Sequence, residues 1–186
     1  MAEPKAASDS PTSDESIIPS LITDPELRKL FDYWRSKRQG RLMPSKNDID
    51  PIDIGWALSR IFLLDYGAED GFRYRLAGDE IARVFGRSNL KGLHLNDVLP
   101  AGRSVIVHQM WLPLIEGRCI MCMKGMVYLG ADQTPIGERL VLPLANGEGD
   151  EVTGLLGMTV CEWITGDVPE EVKLARRETI PVTAIP

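Results

Sequence analysis

Long apolar runs, an even set of cysteines and a surplus of basic residues are all missing from this sequence of 186 residues. No apolar stretch approaches the roughly 20 residues that span a bilayer, and the N-terminal residues include no hydrophobic signal region. Three cysteines, an odd number, favour a reducing compartment over a disulfide framework. We therefore expect a cytoplasmic protein that does not contact a membrane.

The charge balance predicts no nucleic-acid partner. The chain has 21 basic and 27 acidic residues, a net charge of −6, and no basic cluster is long enough to displace counterions from phosphates. Its 44% hydrophobic content is enough for the core of one domain with tails.

Motifs of catalysis are also absent. The sequence contains no nucleophile elbow, phosphate-binding loop or metalloprotease helix. The acids Asp79 and Glu80 open a predicted helix, where they complement the positive end of its dipole. We expect a protein that is not an enzyme and has no catalytic residues.

The N-terminal part combines a polar tail with an amphipathic helix. Residues 1–20 contain five Ser, three Pro and four acids, a composition that predicts a disordered tail. A helix is predicted over 25–39, with Asp24 as the N-cap and Gly40 after its end. One apolar stripe follows its helical period: Leu27, Leu30, Phe31 and Trp34.

The middle of the chain predicts a short helix, a β-hairpin and a group of helices. A second Asp-Pro pair predicts a short helix near 50–60, and a hairpin is predicted over 61–67 and 72–78. About two helical turns are predicted over 79–86, a single turn at 94–100 and a longer helix at 101–117. In that helix Pro113 predicts a kink or an early end. The apolar face of the helix comprises Val107, Met110, Trp111 and Leu114.

Three further strands are predicted at 119–130, 135–147 and 152–163, with turns that suit consecutive antiparallel pairing. Pro143 should lie at a bulge or at a position facing an edge. An exposed helix is predicted over 169–178, followed by a loosely structured end.

Three stretches have a more specific pattern: "RLMPSKNDIDPIDIGWALSRIFLLD", "FRYRLAGDEIARVFGRSNLKG" and "GERLVLPL". Over residues 24–163 the chain resembles the PAS domain superfamily, and within it the short bacterial proteins made essentially of one PAS domain. The resemblance implies an α+β fold in which a five-stranded antiparallel sheet, covered by short helices, surrounds a small-molecule pocket. We divide the chain into a disordered tail (1–20), an N-terminal helical extension (24–58), a PAS domain (59–163) and a C-terminal tail with a short helix (164–186).

The sulfur-rich stretch "CIMCMKGM" has the two-residue cysteine spacing of a metal or redox pair. A structural zinc site needs four ligands, and Cys161, His94 and His108 supply no second pair. Side chains alternate along a strand, so Cys119 and Cys122 should point to opposite faces. We expect no metal site, and a core strand whose methionines fill irregular space or line a pocket.

The resemblance places a ligand pocket on one face of the sheet. The expected lining residues come from the hairpin, the long helix and the third strand: Phe72, Tyr74, Leu76, Val107, Trp111, Met121 and Met123. A small apolar ligand is the expected occupant, with no cofactor required. Flavin photochemistry of the cysteine type is excluded, because the stretch at 86–90 has no cysteine. His108 keeps a haem-binding sensor open as an alternative. His94 suits a surface or capping position.

Several arginines have two interpretations. Arg73 and Arg75 are predicted on the strand face opposite Tyr74. They either form a solvated outer surface or contact an anion or a partner protein. Arg87 and Arg103 flank the helical group and could reach an acidic ligand at the pocket mouth.

The resemblance implies a non-enzymatic sensory or regulatory module that signals through protein–protein contact. No kinase, cyclase or DNA-binding segment is apparent in the sequence, so we expect the signal to pass by non-covalent contact. The amphipathic stripe of the N-terminal helix is the expected association surface, in a homodimer or with another protein. The stripe can equally pack on its own sheet. A ligand-free dimerisation or adaptor module is the second alternative.

Overall fold

A computed structural model describes residues 21–128 and 134–185. The predicted tail at 1–20 and most of the predicted turn after the third strand lie outside these residues. The main elements are α1 (Pro25–Lys37), β1 (Ile61–Gly67), β2 (Gly71–Ala77), α2 (Asp79–Val84), α3 (Leu95–Val98), α4 (Ala101–Glu116), β3 (Cys119–Met126), β4 (Thr134–Ala145), β5 (Val152–Ile164), α5 (Glu170–Lys173) and β6 (Arg176–Pro181). Short 3₁₀ turns lie at Lys46–Asp48, Gly55–Ala57 and Val182–Ala184.

The strands form one antiparallel sheet in the order β2-β1-β5-β4-β3-β6. The predicted hairpin of β1 with β2 and the consecutive pairing of β3, β4 and β5 are confirmed. Pairing of β1 with β5 joins the two halves of the chain. The predicted α+β class is confirmed, with six strands in place of the expected five.

The helix α1 packs on one face of the sheet, against β4 and β5. The Asp24 carboxylate accepts hydrogen bonds from the backbone N–H groups of Glu26 and Leu27, as an N-cap does. The predicted stripe is buried inside the chain: Leu27, Leu30, Phe31 and Trp34. The indole Nε1 of Trp34 donates to the Pro143 carbonyl at 2.9 Å. The expected association surface is therefore covered by the chain's own sheet.

A carboxylate anchors the start of α1 to the sheet. Glu138 on β4 accepts hydrogen bonds from the backbone N–H of Thr23 at 2.7 Å and of Asp24 at 2.9 Å. Lys124, its direct partner on β3, donates to it at 2.8 Å. Glu138 therefore points to the α1 face of the sheet, and its neighbour Arg139 points to the opposite face.

The helix α4 differs from the prediction, since it continues through Pro113 to Glu116. Pro113 lies on the exposed side of α4, as does Gln109, whose carbonyl loses its usual N–H donor. Water can hydrate that carbonyl, so the helix does not need to end there. The predicted inner face is otherwise kept, with Trp111 and Leu114 buried.

The segments 50–60 and 169–178 were predicted as helices, and both predictions were wrong for most of their length. The first forms turns and the 3₁₀ turn Gly55–Ala57. The second forms only the single turn α5, and the chain then becomes β6, which pairs with β3. The open edge of β3 offers backbone hydrogen bonds, and these outweigh a weak helical propensity in a charged segment.

Pro143 lies where β4 can tolerate a proline. The pairing of β3 with β4 ends at Met121 and Val141, so Pro143 lies beyond it. The register with β5 shifts one residue further on, between Leu144 and Ala145. This position agrees with the predicted bulge or edge-facing site.

Candidate functional site

A small cavity lies between the sheet and the helices α2 to α4, on the face opposite α1. The volume in which the centre of a water molecule can lie is about 50 Å³. One water needs about 10–15 Å³ by this measure, so the cavity has room for a few waters or a small ligand. Its lining comes from three strands (β1, β2 and β4), from the helices α2, α3 and α4, and from residues just after α2, α3 and β3. The lining residues are Phe62, Tyr74, Ile81, Phe85, Leu95, Leu99, Arg103, Val107, Trp111, Val127, Tyr128 and Arg139.

Aromatic rings form the apolar wall of this cavity. Trp111 stacks on Phe62 with ring centroids 5.6 Å apart and meets the edge of Phe72 at 5.5 Å. Phe62 lies directly over Gly157, where an added Cβ would be 2.0 Å from its Cζ atom. The missing side chain on β5 therefore lets the Phe62 ring lie flat against the sheet and face the cavity.

Trp111 has a buried hydrogen-bond donor with no acceptor. The residue is only 3% exposed, and its indole Nε1 has no hydrogen-bond partner in the described chain. Leaving a buried donor unsatisfied costs about 1–3 kcal/mol. An acceptor atom inside the cavity would remove that cost.

Arg139 places a positive charge in the buried wall. It is 6% exposed, its Nε donates to the Thr159 hydroxyl at 2.8 Å, and its guanidinium lies 4.5 Å from the ring centroid of Tyr128. Within the described residues no carboxylate forms an ion pair with it. A buried charge usually has a counter-charge, so this guanidinium is an unusual group for a cavity wall.

Two tyrosines keep their protons in this environment. Burial raises the pKa of Tyr74 well above its usual value, and the charge of Arg139 opposes this only in part. Burial also raises the pKa of Tyr128. Both phenols are therefore neutral, so the arginines supply the only formal charges in the lining.

Three of the seven predicted pocket residues line the cavity: Tyr74, Val107 and Trp111. Phe72 is buried behind the wall against Trp111 and His108, and Leu76 is half-buried outside it. Met121 and Met123 are buried on the same sheet face as Arg139 but do not reach the cavity. The methionine-rich strand is thus part of the sheet core at this site.

The residue that sequence reasoning missed most clearly is Arg139. The signal was present, since this arginine opens the apolar run "RLVLPLA" of a strand that has neighbours on both sides. Charged residues are rarely fully buried without a partner. Arg103 was named as a group that could reach a ligand, and it does line the cavity.

The other predicted arginines lie away from the cavity. Arg73 and Arg75 are exposed on β2, on the face away from Tyr74. Arg87 donates to the backbone carbonyl of Asp97 at 2.6 Å, which fixes the loop before α3.

Neither histidine lines the cavity. His108 is half-buried on α4, with its ring centroid 5.3 Å from that of Phe72, so the geometry does not favour a haem ligand there. His94 occupies the predicted capping position, with its backbone N–H bound to the Asp97 carboxylate at 2.9 Å.

The two cysteines of the sulfur-rich strand point to opposite faces, as predicted. Cys122 pairs with Leu140 on the α1 face, and Cys119 donates to the Gly117 carbonyl at the end of α4. Over residues 21–128 and 134–185, no three His, Cys, Asp or Glu side chains are placed to hold a metal ion. None of the helices described is long and apolar enough to cross a bilayer.

An antiparallel sheet with a cavity on one face, enclosed by short helices, defines a class of small sensory and regulatory domains. Residues 22–160 match the family profile described as PAS domain. The chain belongs to the PAS domain family, and this membership indicates a sensory or regulatory module. Comparisons with curated proteins and with solved structures gave no match.

Proposed function

We propose that this chain is a non-enzymatic PAS sensor that binds a small ligand in the cavity and signals by contact with a protein. The cavity itself is the observation that supports the proposal: it lies between the sheet and the helices, where the family holds its ligands. The three cysteines of the chain are free thiols. Free thiols support a reducing compartment such as the cytoplasm.

The helix α4 is the element through which a ligand would act. Val107 and Trp111 line the cavity, while Val105 and Ile106 on the outer side are each more than half exposed. A ligand that binds one position of α4 better than another shifts the population between them. The exposed pair would then change its position relative to a partner.

The partner we propose is a second copy of this chain, in a two-fold symmetric dimer through α4. Symmetric pairs are the commonest assembly of soluble proteins. The α1 stripe supports this choice indirectly, because its burial in the chain leaves it no free surface for association. Exposed apolar side chains on α4 supply an alternative surface.

Ligand binding is tested by thermal unfolding with small neutral compounds, n-butanol and benzyl alcohol. A compound that binds only the native state raises Tm with its concentration. Val107→Phe fills the cavity and should abolish the rise, whereas Val105→Phe, on the exposed side of the same helix, should keep it. If no compound of this kind or its carboxylate counterpart raises Tm, and native mass spectrometry finds the bare chain, the ligand-free adaptor interpretation replaces ours.

Self-association is tested by light scattering coupled to size-exclusion chromatography. The wild-type chain should elute with the mass of a dimer, and Ile106→Asp should shift it to the monomer. Gln39→Asp introduces the same charge at an exposed position after α1, on the other side of the sheet, so it is the control and should stay dimeric. A wild-type monomer at all concentrations would contradict the dimer proposal.

A further inference from the structure

The cavity lining is positively charged in a protein whose net charge is −6. Two arginines, Arg103 and Arg139, are among its lining residues, and no Asp or Glu is. Among the described residues, no carboxylate forms an ion pair with Arg139. A negative charge that enters the cavity would meet a favourable potential in surroundings of low dielectric constant.

Two groups in the wall can donate hydrogen bonds to oxygen atoms. A guanidinium has five N–H groups in a planar fork, and Arg139 forms hydrogen bonds to the hydroxyls of Thr159 and Tyr128. The indole Nε1 of Trp111 is the second donor, buried and without a partner. A carboxylate has two oxygens and about four lone-pair positions, so it can accept hydrogen bonds from more than one donor.

The rest of the wall limits what the anion can carry. Apart from the two arginines, the tyrosines and Trp111, the lining is made of aliphatic and phenylalanine side chains. A phosphate or dicarboxylate would leave charged oxygens against this apolar surface, which is costly. The small volume likewise restricts the apolar part to a short alkyl chain or a single ring.

We propose that the cavity binds a small monocarboxylate, with its carboxylate held by Arg139 and the indole N–H of Trp111 and its apolar end against Phe62 and the α2–α4 side chains. Arg103, on the helix that covers the cavity, adds a second positive charge to the wall. The inference rests on the proposed sensor function and specifies the chemical class of its ligand.

The test is isothermal titration of the full chain with two matched pairs: butyrate against butyramide, and benzoate against benzamide. Each amide keeps the size of the acid and removes the charge. Because a hydrogen bond to a charged group contributes about 1.5–3 kcal/mol, the acids should bind at least about tenfold more tightly. Inorganic phosphate, an anion without an apolar part, should bind more weakly than either acid.

Variants locate the site. Trp111→Phe keeps the ring and removes the N–H, and should weaken benzoate binding by about tenfold. Arg139→Gln should weaken it by at least about tenfold, and Arg139→Lys, which keeps the charge, should weaken it less. The exposed Arg75→Gln is the control for a change in net charge and should bind as the wild type does. If Arg139→Gln does not fold, benzoate binding to Arg139→Lys and Trp111→Phe provides the test.

Two outcomes distinguish this inference from the proposed function. Amides that bind as tightly as the acids, or benzoate binding that is unchanged in Trp111→Phe and the folded Arg139 variants, would overturn the carboxylate inference and leave a ligand-binding sensor in place. Failure of all four compounds, together with the neutral alcohols, would overturn both.

Discussion

At the scale of single residues, Glu138 carries the most consequential polar contacts outside the cavity. Burial alone would raise its pKa, but hydrogen bonds from Lys124 and Thr23 and from the backbone of Thr23 and Asp24 outweigh it and hold the pKa below its usual value. A carboxyl whose pKa is lowered by folding stabilises the native state at pH values above the unfolded pKa. That contribution disappears as the pH falls through the folded pKa.

Glu138→Gln should therefore lower the free energy of unfolding by about 1–3 kcal/mol at neutral pH. Between about pH 6 and pH 3, the stability of the wild type should fall more steeply than that of the variant, since only the wild type has this carboxylate to protonate. Urea unfolding at several pH values measures both effects. The exposed Glu162→Gln is the control, and parallel pH curves for wild type and Glu138→Gln would rule out the proposed anchor.

Cys122 supplies a second test at this scale. Burial, with the charges of Glu178 and Glu138 adding to it, raises the pKa of its thiol to about 12. The reactive thiolate is then scarce and inaccessible near pH 8. In a Cys119→Ser/Cys161→Ser variant, Ellman's reagent should find no rapidly reacting thiol in the native state and one after unfolding in urea. Rapid reaction of the native variant would place Cys122 at the surface instead.

What sequence could predict at single residues follows from periodicity. Tyr74 and Trp111 were identified because they lie on the apolar side of a strand and of a helix, a property that alternation and the 3.6-residue period reveal. Arg139 was missed, since a charged residue is taken as a surface group unless its neighbours in space are known. The lining residue Val127 directly follows β3, and its position relative to α4 depends on tertiary packing, which periodicity does not reveal.

At the scale of elements, α1 is the clearest case. Its boundaries follow from local capping by Asp24 and from the stripe spacing, and both were predicted from sequence. Its partner could not be predicted, since an apolar stripe is equally suited to the chain's own sheet or to another chain. Similarly, β6 was missed because its charged sequence has little strand propensity, and only the free edge of β3 makes it a strand.

Trp34 tests how α1 is held. Trp34→Ala should cost about 3–5 kcal/mol of stability through loss of buried surface. Trp34→Phe, which mainly loses the hydrogen bond to Pro143, should cost about 1 kcal/mol. Trp163→Phe, at a more exposed ring on β5, is the matched control with little effect.

Denaturation of these variants at several protein concentrations separates packing in the chain from packing between chains. Because the stripe packs on its own sheet, the loss of stability in Trp34→Ala should not depend on protein concentration. A loss that grew with concentration would instead place α1 across a dimer.

At the scale of the whole molecule, the C-terminal segment closes the sheet and is part of the folded domain. After β6, Val182 is fully buried and its backbone N–H donates to the Arg118 carbonyl at 2.9 Å. Ile185 is buried as well, and its carbonyl accepts a hydrogen bond from Arg38 at 2.9 Å, next to the end of α1. The segment therefore connects the last strand to the first helix.

Val182→Ala should lower the free energy of unfolding by about 2 kcal/mol, because it leaves a cavity in a fully buried site. Thr183→Ala, at the exposed next position, should change it by less than about 0.5 kcal/mol. Urea unfolding of the two variants is the measurement. Equal, small effects would show that the segment does not pack on the domain in solution.

The pairing of β1 with β5 also determines when this sheet can be completed during synthesis. Phe62 on β1 pairs with Gly157 on β5. During synthesis the hairpin of β1 and β2 therefore leaves the ribosome long before β5, the strand that pairs with the other edge of β1. Until then the apolar stretch "IFLL" of β1 has an unpaired edge, the kind of surface on which nascent chains aggregate or recruit chaperones. Contacts so distant in sequence also slow folding. The central pairing of this sheet can therefore form only after β5 has been synthesised.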